Sequence, residues 1–180
     1  AVAIGNANRY QGQRQFVERF RRRADALTKL SEVNPFINFD QPIEQSLRLI
    51  ANGIREATPF GAVLISIYES DTGLLRRVTG VGYSPDVLVE HMSRRQPFSG
   101  VQQMFKPQYR ISRSYFIPAD KVPVAPADVH MTASNVYDSQ KKSPNSWNPD
   151  DILFVPLEDN QGNPLGLINL DSPRDGLRPD

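Results

Sequence analysis

The spacing of apolar residues predicts a helix over residues 10–33. Its apolar positions recur at helical intervals and form a seam like that of a coiled coil: Phe16, Phe20, Leu27 and Leu30. Arg23 interrupts the seam, and basic residues outnumber acidic ones along the segment. Three interpretations are open: a helix with a solvated face, a helix that pairs with its copy and relays a signal, and a nucleic-acid-binding helix. Because the third lacks a reading motif beside its arginines, no nucleic-acid partner is predicted.

A second helix is predicted immediately before the first strand. Asp40 is a suitable N-cap, Pro42 suits a first helical turn, and Pro59 ends the pattern. The apolar positions of this helix form one stripe, made of Ile43, Leu47, Ile50, Ile54 and Ala57. Such a stripe has to pack on another element, so we expect it to cover a sheet.

The sheet begins with two β-rich runs, "AVLISIYES" (62–70) and "LLRRVTGVG" (74–82), which a short polar turn joins into an antiparallel hairpin. Residues 84–94 then predict a helix with Val87, Leu88 and His91 on its inner side, and a short helix follows over 99–105. Gly80 and Gly82 lack the third glycine of a dinucleotide-binding loop, which favours a tight strand-to-helix turn.

The segment "QYRISRSYFIPA" (108–119) alternates as one strand does. Two faces are predicted: Tyr109, Ile111, Arg113 and Tyr115 on one, and Ser112, Ser114 and Phe116 on the other. Residues 118–149 follow with five prolines and no sustained period. Loops of that length are usually functional or disordered. Because apolar residues are scattered through this one, we expect a partly ordered flap.

In the closing segment, residues 152–157 and 165–170 are apolar at almost every position. Strands of this kind lie in the middle of a sheet that is covered on both faces. Pro156 cannot donate a ladder hydrogen bond, so we expect a bulge or an unpaired position there. The adjacent acidic pair, Asp150 and Asp151, is expected to cap or flank the first of these strands.

The composition is that of one ordinary globular domain. The chain has 180 residues, 39% hydrophobic and 23% charged, with a formal net charge of +1 and no apolar run near the ~18 to 20 residues of a membrane span. There is no cysteine, which excludes disulfides, thiolate metal sites and cysteine nucleophiles and favours a cytoplasmic location. His91 is expected to be structural, at the surface or half-buried, whereas His130 beside Asp128 could contact a ligand or bind a haem axially.

The order of these elements, together with the closing pattern "WNPDDILFVPLEDNQGNPLGLINLDSP", resembles a GAF domain of a bacterial signal-transduction protein of the sensor kinase or diguanylate cyclase type. The resemblance implies an α+β fold: a central antiparallel sheet of five or six strands, with helices on one face and a loop and short-helix roof over a pocket on the other. It divides the chain into an N-terminal signalling helix, 1–36, and a GAF sensor domain, 37–180. The chain starts with Ala1 and stops where the family usually has a further helix, so we expect a piece of a longer protein.

The resemblance also implies a function. The chain is expected to be a non-catalytic regulatory module that senses an unidentified small molecule, forms a homodimer through its N-terminal helix and is covalently linked to an output domain. The alternative is a ligand-free dimerisation scaffold. The predicted ligand-binding residues are Phe98, Met104, Phe105, Tyr109, Ser112, Ser114, Phe116, His130 and Trp147. For the aromatic members, simple core packing remains the alternative. The family's cysteine-dependent branches and its Asn-Lys-Phe-Asp-Glu cyclic-nucleotide signature are not matched, so no cofactor is assigned.

Overall fold

The computed structural model describes residues 42–122, 143 and 145–179. The predicted N-terminal helix, its proposed boundary at residue 36, the Asp40 cap and most of the predicted flap, including His130, lie outside these residues. The helices and strands in chain order are α1 (Ile43–Ala57), β1 (Phe60–Glu69), β2 (Leu74–Val81), α2 (Pro85–Ser93), β3 (Arg95–Pro97), α3 (Phe98–Gln102), β4 (Arg110–Ile111), β5 (Ser114–Ile117), β6 (Ile152–Glu158) and β7 (Pro164–Pro173).

Within the described part of the chain, all seven strands form one sheet in the order β3-β2-β1-β7-β6-β5-β4, and every neighbouring pair is antiparallel. The α+β class and both predicted hairpins are confirmed. The closing hairpin supplies β7, the middle strand, and its neighbour β6, as its two-sided apolar pattern predicted. The expected count of five or six strands was too low, because 95–97 adds an edge strand and 108–119 contributes two strands.

The single strand predicted over 108–119 is wrong. The chain reverses at Ser112 and Arg113, so that Arg110 faces Tyr115 and Ile111 faces Ser114. Ser112 has a φ of 56°, and the Ser114 hydroxyl donates to the Ile111 carbonyl oxygen at 2.8 Å across the turn. Alternating apolar and polar residues look the same in one long strand and in two short antiparallel ones, and no glycine marked this turn.

Pro156 pairs in register with Leu167, and the irregularity in this ladder lies further on, between Leu157 and Glu158. The expected bulge is therefore not at the proline. The β5 ladder extends along β6 only from Ile152 to Phe154. Pro156 therefore lies beyond the part of β6 that pairs with β5. The edge of β6 that faces β5 has no ladder hydrogen bond to lose at this position.

Helix α1 packs on β1 and β2 and covers what we call the helix face of the sheet. Its buried centre is Ala51, which packs with Val63, Ile65 and Ile168, while Leu47, Ile50 and Ile54 lie around it half-buried. Ile43, the first member of the predicted stripe, is 53% exposed. The helix begins at this residue, with Pro42 as its N-cap. Helices α2 and α3 lie on the opposite face, which we call the roof face.

Candidate functional site

The roof face of the sheet is divided into an apolar part and a polar part. The apolar part, which we call the roof core, joins β2, β5, β6 and β7 to α3 and the turn after it. Its buried members are Leu75, Val101, Met104, Ile117, Ile152, Phe154 and Leu167, with Tyr68, Phe98, Phe105, Tyr109, Tyr115 and Val122 packed against them.

Four of the predicted ligand-binding residues, Phe98, Met104, Phe105 and Tyr109, come together in this roof core. They are close-packed: the rings of Phe105 and Tyr115 are stacked with centroids 4.8 Å apart, and Phe98 lies 5.1 Å from Tyr68. In this structure these side chains fill the space between the sheet and its roof.

The structure separates the other predicted residues from that group. Phe116 and Trp147 form a different cluster with Phe60 and Leu153, and the register places Phe116 on the helix face. Ser112 is exposed at the β4–β5 turn, and the Ser114 hydroxyl is used within the same turn. His130 lies outside the described residues. The predicted set is therefore not one constellation.

The polar part of the roof face was not predicted as a site. Strand register sets Arg77 on β2 opposite Ser66 on β1, and sets Asn169 and Asp171 on β7 opposite Leu64 and Ala62. Tyr83, from the turn after β2, and His91, from α2, complete the group. We call this group the polar patch: Ser66, Arg77, Tyr83, His91, Asn169 and Asp171.

Two polar atoms in the patch have no hydrogen-bond partner among the described residues, although both are buried: the Tyr83 hydroxyl and His91 Nε2. Their rings meet edge to face, with centroids 5.3 Å apart, and His91 is only 7% exposed. Arg77 Nη1 donates to the backbone oxygen of His91 at 3.1 Å, which fixes this end of α2 against the sheet. Buried polar groups without a partner are rare and costly, so this pair requires an explanation.

Burial, more than the surrounding charges, favours the neutral form of both groups. Burial, and after it the charge of Asp171, raises the pKa of the Tyr83 hydroxyl above its usual value. Burial, and after it the charge of Arg77, lowers the pKa of His91. Burial also lowers the pKa of Arg77, and the nearby Arg94 adds to this effect. A protonated hydroxyl and a neutral imidazole nitrogen can each donate or accept one hydrogen bond.

The lowered pKa of His91 predicts a pH-dependent stability. In the unfolded chain a histidine binds its proton near pH 6.5, whereas folded His91 binds it only at lower pH, so the unfolded state holds more protons between these values. The free energy of unfolding should therefore fall as the pH drops below about 6.5. Urea titrations from pH 7.5 to 5 should show a steeper fall for the wild type than for His91→Gln.

If the free energy of unfolding fell equally with pH in the wild type and in His91→Gln, the result would contradict this prediction. The comparison isolates His91 because the groups that act on it, Arg77, Glu90 and Arg94, are the same in both proteins, as is His130.

The space beside the patch is small. A cavity of about 10 Å³ is lined by Asn169, Asp171 and the start of β6. That volume holds about one water molecule. A second concave surface, an open cleft of about 550 Å³, lies at the free edge of β6 between Arg110, Arg113 and Glu158. Neither Tyr83 nor His91 lines this cleft, whose walls are exposed residues together with half-buried residues of β5 and β6.

Neither a metal site nor a membrane-spanning helix is found in the described residues. No three His, Asp or Glu side chains among them are grouped so that they could hold a metal ion, and none of their helices is long and apolar enough to cross a bilayer.

Asp151, the second residue of the predicted acidic pair, caps the entry to β6 as expected: its carboxylate accepts hydrogen bonds from the backbone amides of Asn148 and Ala119, each at 2.8 Å.

The predicted tight turn at Gly82 is also confirmed, with a φ of 84°. His91, in contrast, is more buried than predicted, because α2 turns it inward beneath Arg77.

Sequence reasoning missed the polar patch, although the sequence contained a signal for it. Asn169 and Asp171 alternate with apolar residues on a strand predicted to be covered on both faces, and Arg77 interrupts β2 in the same way. An inward-facing polar residue on a buried strand is more informative than an aromatic residue, which packs equally well in any core.

No protein-family model matches the chain, and no curated protein matches it. Solved structures do. The chain is similar to the GAF domain of a phosphoenolpyruvate-protein phosphotransferase (ptsP) from Coxiella burnetii, with 19% identity over 87% of this chain and 83% of that one and a TM-score of 0.56. It is also similar to the A. aeolicus nlh2 GAF domain in an inactive state, with 14% identity, 88% and 83% coverage and a TM-score of 0.54.

A third similar structure is a free methionine-R-sulfoxide reductase from Neisseria meningitidis in complex with its substrate. The identity is 19%, the match covers 88% of this chain and 77% of that one, and the TM-score is 0.52. The chain therefore has the fold of GAF domains, as its closing pattern implied. At these identities the likeness establishes the fold, and the function has to be argued from the site.

Proposed function

We propose that the chain is a non-catalytic regulatory module that binds a compact polar molecule at the polar patch. The observation that carries this proposal is the pair of buried, unpartnered groups, the Tyr83 hydroxyl and His91 Nε2, beneath a roof that is otherwise well packed. A ligand that hydrogen-bonds to both groups removes the cost of leaving them unpaired. The nine residues predicted from the sequence remain a separate proposal for ligand contacts.

The ligand chemistry follows from the two groups and their surroundings. Each can donate to an oxygen, and the nearby Arg77 guanidinium favours a ligand with oxygen acceptors. The neighbouring cavity of about 10 Å³ is lined by Asn169 and Asp171 but not by Tyr83 or His91, so a ligand that reaches the pair has to displace roof side chains, which favours a small molecule. We therefore expect a metabolite with two or more hydrogen-bonding groups.

A regulatory role is favoured over catalysis because the chain has no cysteine, which leaves no thiol for the chemistry of a reductase. The patch itself offers hydrogen bonds, the buried guanidinium of Arg77 and the buried carboxylate of Asp171. Similar folds occur as domains of larger signalling proteins, so we propose a linked output domain. A kinase or cyclase output, cytoplasmic location and dimerisation through residues 1–36 are parts of the same proposal.

One observation favours the alternative, a ligand-free dimerisation scaffold. Two large apolar side chains of α1, Ile43 and Leu49, are 53% and 37% exposed. A second copy of the chain could cover them. The two functions differ at the polar patch: a scaffold leaves the Tyr83 and His91 atoms unpartnered under all conditions, whereas a sensor acquires a ligand there.

A thermal-shift screen of small polar metabolites tests the sensor. A ligand at one hundred times its dissociation constant stabilises the protein by about 2.7 kcal/mol, which raises the Tm of a domain of this size by roughly 5–10 °C. Tyr83→Phe should weaken the same ligand by about two- to tenfold. Without ligand, Tyr83→Phe should leave the Tm unchanged or raise it, because it removes a buried hydroxyl that has no partner.

Tyr115→Phe is the matched control, since Tyr115 is not one of the predicted ligand contacts and its ring stacks on Phe105 in the roof core. It should leave ligand affinity unchanged. A wild type that no compound stabilises, or a compound that stabilises Tyr83→Phe as strongly as the wild type, would refute binding at the patch.

A further inference from the structure

The carboxylate of Asp151 binds three separate parts of the chain. Its oxygens accept hydrogen bonds from the amides of Ala119 and Asn148, as described above, and from Nε and Nη2 of Arg178, both at 2.8 Å. The Asp151 side chain is completely buried, whereas that of Arg178 is 22% exposed.

These partners come from different places in the fold. Ala119 lies shortly after the end of β5 at Ile117, and Asn148 lies shortly before the start of β6 at Ile152, so they belong to the two ends of one connection. Arg178 belongs to residues 174–179, which we call the C-terminal segment. This segment also lies against the connection, because the Trp147 amide donates to the Gly176 oxygen and the Arg178 amide donates to the Asn145 oxygen.

The position of the carboxylate depends on Arg178. A buried charge is stable only when it is paired and its remaining lone pairs are bonded, and the bidentate guanidinium supplies the pairing. If Arg178 leaves, the carboxylate has to take up water or turn toward solvent. Each of these changes alters its bonds to the amides of Ala119 and Asn148.

We propose that Asp151 couples the C-terminal segment to both ends of the β5–β6 connection, so that releasing one loosens the other. Coupling of this kind is reciprocal: an event that stabilises the bonds of Ala119 and Asn148 also stabilises the attachment of Arg178. The route lies beside the polar patch, because the small cavity next to the patch is lined by Asp151 as well as by Asn169 and Asp171. The use of this route to carry a ligand signal rests on the proposed function; the coupling itself does not.

Amide hydrogen exchange of the unliganded protein, measured by NMR, tests the coupling. Arg178→Gln removes the ion pair, and the amides of Ala119 and Asn148 should then exchange at least tenfold faster, although neither contacts Arg178 in the hydrogen bonds of this site. Arg174→Gln is the control. It also releases an arginine of the C-terminal segment, but one that donates to the oxygens of Arg55 and Thr58 and not to Asp151. It should leave both amides unchanged.

Unchanged exchange at Ala119 and Asn148 in Arg178→Gln would overturn the proposal, as would equal acceleration by Arg174→Gln. If Arg178→Gln does not fold, Arg178→Lys, which keeps the charge without the bidentate geometry, should show a smaller acceleration at the same two amides, and no acceleration would overturn it. Because no ligand is present, a failed ligand screen leaves this result interpretable.

Discussion

Gly82→Ala is expected to destabilise the domain by roughly 2–5 kcal/mol, the sum of a left-handed backbone penalty and an overpacking penalty. Gly82 has a φ of +84°, and an added Cβ would lie 2.0 Å from the backbone oxygen of Gly61 and 2.9 Å from Cα of Ala62. Neither atom can move without moving strand β1. Because Tyr83 follows directly, the same change should also displace its hydroxyl from the polar patch.

Gly73→Ala provides the matched control. Gly73 has a similar φ of +70°, but no atom lies within 4 Å of the added Cβ. It should therefore cost only the backbone term, about 1–2 kcal/mol. Urea denaturation of both variants measures the difference. Equal losses would mean that the close approach of Gly82 to β1 does not constrain the turn.

Asp151→Ala should cost about 3–5 kcal/mol, as breaking a buried ion pair by removing one partner does. The substitution leaves the amides of Ala119 and Asn148 and the guanidinium of Arg178 without their acceptor. Chemical denaturation should show the loss as a lower midpoint.

The neighbouring Asp150 is the control for this substitution, because it is exposed and its side chain makes none of these bonds. Asp150→Ala should stay within about 0.5 kcal/mol of the wild type. If the two variants were equally stable, Asp151 would be a surface cap and the coupling proposed for it would have no basis.

The elements predicted correctly are those in which the pattern of apolar and polar positions indicates directly which faces are buried. Strands β6 and β7 are apolar on both alternating sets, which occurs only when both faces are covered, and they lie in the interior of the sheet. The β1–β2 hairpin was predicted correctly because its polar turn contains Gly73, which adopts the positive φ that this turn needs. In contrast, the reversal at Ser112 carried no such mark, and one strand was predicted where two exist.

The candidate site could not be predicted in the same way because it depends on register and helix rotation. Arg77 and Asp171 come from β2 and β7, which are far apart in the chain and flank β1 on its two sides. The position of the His91 side chain depends on the rotation of α2 about its own axis. The residue type alone does not predict that rotation. The aromatic residues predicted as ligand contacts divide between the roof core and the Phe60 cluster, because aromatic side chains fill apolar interiors as readily as they line pockets.

The central claim is that a small molecule hydrogen-bonds to Tyr83 and His91. The most direct measurement is a crystal structure of the protein with the compound that gives the largest thermal shift. We expect polar ligand atoms within about 3.2 Å of both the Tyr83 hydroxyl oxygen and His91 Nε2. A structure in which the compound binds elsewhere and those two atoms keep no ligand contact would contradict it.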